Sequence, residues 1–282
     1  MRRDQAFDDI SPDVGQIDEQ ALADLVEEDA DHALALLAEM TAATDPVLAA
    51  LAARLAGRLM LDVARSGPSD SRGIGRLVSS PADRADGDLD VDASLDALVH
   101  ARAGRRVVAA DELRVRHWTK PTMALSLLVD RSGSMSGDRL AIAAVAAAAC
   151  SWRAPADWSV LGFSERQLAL KSQDDDRSPA AVVNDLLRLR GRGTTDLDAA
   201  LRSSARQLER SRAKRRVTIL LSDCRSTAGV DPQAAARRLD ELCVIAPADD
   251  ADEAADFARR VGARFATVER SLDIPAALAS VL

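Results

Sequence analysis

A short apolar run, Met123-Ala-Leu-Ser-Leu-Leu-Val129, stops at a charged residue, Asp130. A run of this length, bounded by polar residues, suits a strand buried on both faces of a parallel sheet. Asp130 then sits at the strand's carboxyl end, the edge where open α/β sheets bind ligands. Arg131-Ser-Gly-Ser-Met-Ser-Gly-Asp138 follows. Gly133, having no Cβ, lets this loop fold tightly. Asp130, Ser132 and Ser134 carry side-chain oxygens at alternate positions and can converge on one point above the strand. A helix begins between Ser136 and Asp138 and runs through an Ala-rich segment to about Arg153. Either serine can instead cap that helix.

Beyond this unit the pattern alternates between strand and helix. It predicts strands over 158–163 and 167–171, then helices over 180–189 and 197–210. A strand over 217–221, a helix over 232–242 and a strand over 243–246 follow. The chain then continues with a helix over 251–261, a strand over 264–268 and a last helix from Ile274. Such alternation implies right-handed crossovers and a doubly wound, mostly parallel sheet with helices on both faces.

The pattern Asp130-x-Ser132-x-Ser134 between a buried strand and a helix resembles the metal-ion-dependent adhesion site of von Willebrand factor type A (VWA) domains. Two later segments match in order. Arg192-Gly-Thr-Thr-Asp-Leu-Asp-Ala-Ala-Leu201 resembles the family's Gly-Thr-Asp-Leu-x-x-Ala-Leu loop, which puts the threonine ligand at Thr195 and not Thr194. Val217-Thr-Ile-Leu-Leu-Ser-Asp223 resembles the strand that ends in the family's second ligand aspartate, here Asp223. Three matches in order are far more specific than any one alone. The resemblance covers about 121–282 and implies a Rossmann-like VWA fold, with the short strand at Gln167 as its antiparallel edge. The implied metal ligands are Asp130, Ser132, Ser134, Thr195 and Asp223. The sequence departs from the family at Cys224, where glycine is usual, and carries Arg131 beside the first ligand. Cys224 reads as a buried small hydrophobe or an exposed thiol. Asp196 reads as a helix cap that also supports the site.

Carboxylate and hydroxyl oxygens are hard donors that suit Mg²⁺, Mn²⁺ or Ca²⁺ and not zinc. Two carboxylates neutralise the ion yet leave it electrophilic, so a partner's Asp or Glu can complete its shell. Within the class, the chain resembles bacterial CoxE-type and magnesium-chelatase-subunit-D-type proteins. Those are similar to partners of MoxR-type AAA+ ATPases that serve metal insertion or enzyme maturation. The implied role is an adaptor and not an enzyme. The rival readings are a Mg²⁺-dependent hydrolase or phosphatase and a metal-free scaffold. Against the hydrolase, His32, His100 and His117 are scattered and supply no base, and Gly-x-Ser-x-Gly is absent.

Ahead of this region, residues 1–66 read as a helical amino-terminal region. Residues 1–11 look disordered, and amphipathic periodicity begins near Ile17. Asp45-Pro46 starts a further helix over 47–63, with Asp as its cap. The acidic run 27–31 reads as a solvated face. Residues 67–120 read as a linker and an edge segment, Gly- and Ser-rich at first, with an edge strand over 113–118. Gly73-Ile-Gly75 lacks the remainder of a phosphate loop. The alternating Asp86, Asp88, Asp90 and Asp92 lack the glycine of a calcium loop, Val91 standing in its place.

Composition narrows the partners. The formal charge of −8 over 282 residues offers no basic stripe for nucleic acid. Basic residues other than Lys120, Lys171 and Lys214 are arginines, which reads as a codon bias. The 3 cysteines, Cys150, Cys224 and Cys243, are unpatterned, as in a reducing compartment. No apolar stretch approaches the roughly 20 residues of a membrane span, and the amino terminus has no signal core. The expectation is a soluble, cytoplasmic protein without nucleic-acid or membrane partners.

Overall fold

The computed structural model describes residues 5–11, 16–43, 45–65, 76–82, 88–119, 123–131, 137–189, 191 and 193–282. In chain order the first elements are α1 (Gln5–Ile10), α2 (Glu19–Glu28), α3 (Ala30–Met40), α4 (Pro46–Arg65), β1 (Arg76–Pro81), β2 (Asp88–Leu89), α5 (Val91–Ala103) and β3 (Arg114–Thr119). There follow β4 (Met123–Asp130), α6 (Gly137–Arg153), β5 (Trp158–Phe163), β6 (Gln167–Lys171), α7 (Pro179–Leu187) and α8 (Leu197–Leu208). The chain continues with β7 (Arg215–Leu221), α9 (Gln233–Ala236), β8 (Glu241–Pro247), α10 (Asp252–Val261), β9 (Arg264–Val268) and α11 (Ile274–Val281). Two compact units result, residues 1–69 with 123–282, and residues 70–122.

The larger unit is built on a sheet of order β6-β5-β4-β7-β8-β9. All pairs are parallel except β5 with β6, so the expected antiparallel edge strand is present. After β4 the chain extends the sheet one way through β5 and β6, then returns to place β7 on the other side of β4. The direction of winding therefore reverses at β4, and ligand sites form at such a switch point.

Alternate strand residues feed two cores. Leu125, Leu127 and Val129 of β4 join Val217, Ile219, Cys243 and Ile245 beneath α6, α7 and α11. Leu128, Leu161, Leu220 and Val244 face the opposite way, with Leu197 and Leu201 of α8 and Phe257 of α10. The amino-terminal helices belong to the first of these cores. α3 and α4 lie on α6, and α4 also packs on α7. Residues 143–151 are all buried because α6 lies between the sheet and these helices. A helix buried all round must be apolar all round, and alanine allows the close approach on both sides.

Several expectations are corrected. Residues 5–10 are helical and not disordered, because Ile10 is buried and Ala6 and Phe7 pack on the same core. The acidic run is divided in use. Glu27 and Glu28 are exposed, but the Asp29 carboxylate accepts the His32 amide at 3.0 Å and caps α3. Asp31 accepts the Ser271 hydroxyl at 2.6 Å and the Leu272 amide at 3.0 Å, tying α3 to the turn before α11. Asp45 caps α4 as expected, accepting the Val47 and Leu48 amides at 2.7 and 3.1 Å. The helix expected over 232–242 shrinks to Gln233–Ala236, because Glu241 and Leu242 are taken into pairing with Val217 and Thr218. Residues 237–240 must therefore make the turn.

Residues 70–122 form a separate small unit, in which the strand expected over 113–118 is present as β3 but stands at the centre of its sheet and not at an edge. Its sheet has order β1-β3-β2, and α5 follows β2. Both pairings are antiparallel. Asp90 caps α5 through the Ala93 amide at 3.2 Å and pairs with Arg116 at 2.8 Å. That accounts for one of the alternating aspartates as a cap. Asp86 and the Gly73 to Gly75 stretch lie outside the described residues.

Because α4 shares the core of the sheet, Met60→Ala, at a fully buried position, is expected to lower stability by about 2–5 kcal/mol. Urea unfolding followed by circular dichroism and tryptophan fluorescence should show one shifted transition for the larger unit. A loss confined to a separate helical transition would show that the helices fold apart from the sheet.

Candidate metal centre

The centre of interest lies at the carboxyl ends of β4 and β7. Residues 124–130 of β4 are all buried, so its apolar side chains are consumed by the two cores and the carboxylate falls at the strand's end. Asp130 is 8% exposed. β7 runs beside β4 in register from Met123↔Arg215 to Val129↔Leu221, which sets Ser222 and Asp223 just past the neighbouring strand's end. Asp130, Ser222 and Asp223 line one small cavity of about 60 Å³. Its other walls include Ile142 and Ala143 of α6, Leu221 of β7, Ile245 of β8 and Val268 of β9.

Hydrogen bonds hold both carboxylates. The Ser222 hydroxyl donates to Asp130 Oδ2 at 2.6 Å and accepts the Cys224 amide at 2.9 Å. Asp223 Oδ1 accepts the Arg225 amide at 3.0 Å. Ser132 and Ser134 lie outside the described residues.

Thr195 is 2% exposed and opens the turn into α8. Its backbone is clasped by the loop that follows Asp223. The Thr195 amide donates to Thr227 Oγ1 at 2.9 Å, and its carbonyl accepts the Thr227 and Ala228 amides, each at 3.1 Å. Asp196 forms a bridge with Ala228 and caps α8 by accepting the Ala199 amide at 3.0 Å. Gly229, at φ +82°, lies so close to this carboxylate that a Cβ there would stand 2.4 Å from Asp196 Oδ1. The loop after Asp223 is thus seated on the Thr195 turn. Thr194 is exposed, and its hydroxyl donates to Glu165 at 3.3 Å. Sequence reasoning missed Ser222 and Thr227. Ser222 carried a signal, as the first polar side chain after the apolar run of β7; Thr227 carried none.

Cys224 is buried, and its backbone is in the left-handed region at φ 61°. That conformation explains why glycine is usual here in the family it resembles. Burial pushes its thiol far above the usual range, helped by Asp223 and Asp130. Burial likewise pushes Cys150 up to about 12 and Cys243 up to about 11, so none of the three is a ready thiolate. Arg131 lies with its stem across Gly162, where a Cβ would come 2.7 Å from Arg131 Cδ.

Residues 69–262 match the family described as VWA domain containing CoxE-like protein. The chain belongs to this CoxE-like VWA family. The match takes in the small unit, residues 70–122, as well as most of the doubly wound sheet. Among solved structures, proximal thread matrix protein 1 from the mussel byssus is 16% identical, at a TM-score of 0.46 over 57% of this chain and 47% of that one. The same protein with a zinc occupied MIDAS motif is 13% identical, at a TM-score of 0.45 over 57% and 47%. A von Willebrand factor type A protein from Catenulispora acidiphila is 15% identical, at a TM-score of 0.44 over 57% and 42%. This CoxE-like chain covers less than half the length of each. No curated protein matches it. Among the described residues no helix is long and apolar enough to cross a membrane.

The donors fit a hard divalent cation. The described side chains at the two strand ends offer carboxylate and hydroxyl oxygen; Arg139 of α6 is the one cationic side chain among the described lining residues, and none of these is a histidine. The left-handed turn at Cys224 yields a separate test. Cys224→Ala keeps the strain and loses the sulfur, whereas Cys224→Gly loses both. Cys224→Gly is expected to be the more stable of the two by about 1 kcal/mol, the cost of a Cβ at positive φ. Denaturant midpoints measure the difference, and an equal or more stable Cys224→Ala would exclude strain at this position.

Proposed function

We propose that this chain is a metal-dependent protein-binding module whose ligands are Asp130, Ser132, Ser134, Thr195 and Asp223. The observation that carries the reading is the shared cavity of Asp130 and Asp223 at the switch point of a VWA sheet. The preferred ion is Mg²⁺, with Mn²⁺ or Ca²⁺ as substitutes that the same oxygen donors accept. When bound, the ion supplies a Lewis-acidic position that a partner's Asp or Glu can fill. The protein's own residues do the rest. Ser222 holds the Asp130 carboxylate, the Arg225 amide holds that of Asp223, and the clasp of 227–228 holds the Thr195 turn. The buried Thr195, and not the exposed Thr194 turned to Glu165, is the threonine for the ion.

The partner is a MoxR-type AAA+ ATPase or its client, and the chain acts as an adaptor in metal insertion or in the maturation of an enzyme complex. Membership of the CoxE-like family supports this, as does a sequence with no nucleotide loop of its own. An adaptor role also accords with a cavity whose described lining residues include no histidine that could serve as a base. The metal bridge is strong where the interface excludes water, because exposed charge pairs contribute only about 0–1 kcal/mol.

Calorimetry with Mg²⁺ and with Mn²⁺ is expected to show one weak site in the wild type. The site is lost in Asp130→Ala, weakened in Thr195→Ala and unchanged in Thr194→Ala. Equal binding by wild type and Asp130→Ala would remove the assignment, and loss in Thr194→Ala alone would move the threonine ligand.

The partner reading has its own measurement. Pull-down from the native cell should recover an AAA+ ATPase or its client in Mg²⁺, lose it in chelator and regain it when Mg²⁺ is restored. The same partners at the same level with and without chelator would show that the metal is not the bridge.

A further inference from the structure

Ser222 stands outside the expected ligand set, yet its hydroxyl touches the first ligand. The residue is 5% exposed. Its Oγ makes two hydrogen bonds, to Asp130 Oδ2 at 2.6 Å and with the Cys224 amide at 2.9 Å. The direction of both follows from chemistry. A backbone N–H can only donate, so Oγ accepts from Cys224. An ionised carboxylate can only accept, so the single hydroxyl proton points to Asp130. The 2.6 Å separation lies in the short range typical of O–H···O⁻ bonds.

We infer that Ser222 is a positioning residue that orients the Asp130 carboxylate and thereby raises the metal affinity of the centre. This rests on the metal-centre reading above. The hydroxyl cannot turn away without breaking one of these two buried bonds, which is costly. The amide it accepts from is itself fixed, because Cys224 sits in a left-handed turn. The Ser222 amide donates to the Ile245 carbonyl at 3.3 Å, extending the link to β8. Asp130 Oδ2 is thus anchored, through one side chain, to the strand end that carries Asp223. Ser222 thus adds a side-chain link between the two carboxylate-bearing strand ends that parallel pairing already sets side by side. Without it Oδ2 loses this bond, and less of the carboxylate's orientation is set before the ion arrives.

The test compares wild type, Ser222→Ala and Ser222→Thr by Mn²⁺ calorimetry and by the electron paramagnetic resonance signal of free Mn²⁺, with metal-free melting temperatures measured alongside. Ser222→Ala is expected to bind Mn²⁺ about 10–100-fold more weakly, the usual effect of removing a group that orients a ligand. Ser222→Thr keeps the hydroxyl and is expected to recover most of the affinity. If Ser222→Ala does not fold, Ser222→Cys, a poor donor of similar shape, is expected to show the weakening. A merely structural serine would lower the metal-free melting temperature and leave Mn²⁺ affinity unchanged, which would overturn the inference. So would a Ser222→Thr protein that folds and binds as weakly as Ser222→Ala. A wild type that binds no Mn²⁺ would instead overturn the metal-centre reading, and this inference with it.

Discussion

Strand β4 is covered on both faces and paired on both edges, and the placement of everything else follows from that burial. Such a strand can carry polar groups cheaply only at its ends. Asp130 follows the apolar run directly, so its carboxylate emerges at the carboxyl end. The winding reverses at this strand, and the neighbouring strand ends with Ser222 and Asp223. Two carboxylates are brought to one crevice by parallel pairing in register. Hydrophobic burial thus positions a polar site without any bond between the carboxylates themselves.

The same economy of space governs the layer above. Helix α6 has the sheet beneath it and α3 and α4 on top, and its alanines are the only small apolar side chains that keep a helix intact at no entropic cost. Interiors are close-packed, so larger residues here would drive the layers apart. The amino-terminal helices therefore complete the core of the sheet. Asp31, bonded to Ser271 and Leu272, adds a polar tie between α3 and the approach to α11.

At the centre itself, the segment after Asp223 does several jobs through backbone geometry. Cys224 turns the chain through a left-handed conformation and presents its amide to Ser222. The chain then crosses the Thr195 turn, where Thr227 and Ala228 bond to Thr195 and Gly229 fits against Asp196. The three segments that carry the proposed ligands are thereby connected, two of them through this loop. The 224–229 stretch has the composition of an ordinary loop, and its role exists only once the Thr195 turn lies beneath it.

By itself the sequence determined the strand and helix alternation, the mostly parallel sheet and the strand end at Asp130, whereas the antiparallel edge followed from the family resemblance. Periodicity and the length of apolar runs are local properties, and burial on two faces writes them plainly between residues 123 and 282. The caps at Asp45 and Asp196 were legible for the same reason, since a cap acts within three residues. Tertiary structure decided the remainder. The helix at α1 forms because Ile10 finds a core made by distant residues, and α9 stops because β7 recruits Glu241 and Leu242. Residues 70–122 become a unit because Arg76–Pro81 and Asp88–Leu89 both pair with Arg114–Thr119, partners far away in sequence. The Ser222 hydroxyl meets Asp130 across a separation of 92 residues. No local pattern encodes such a meeting, because it is set by which strands lie side by side and in what register.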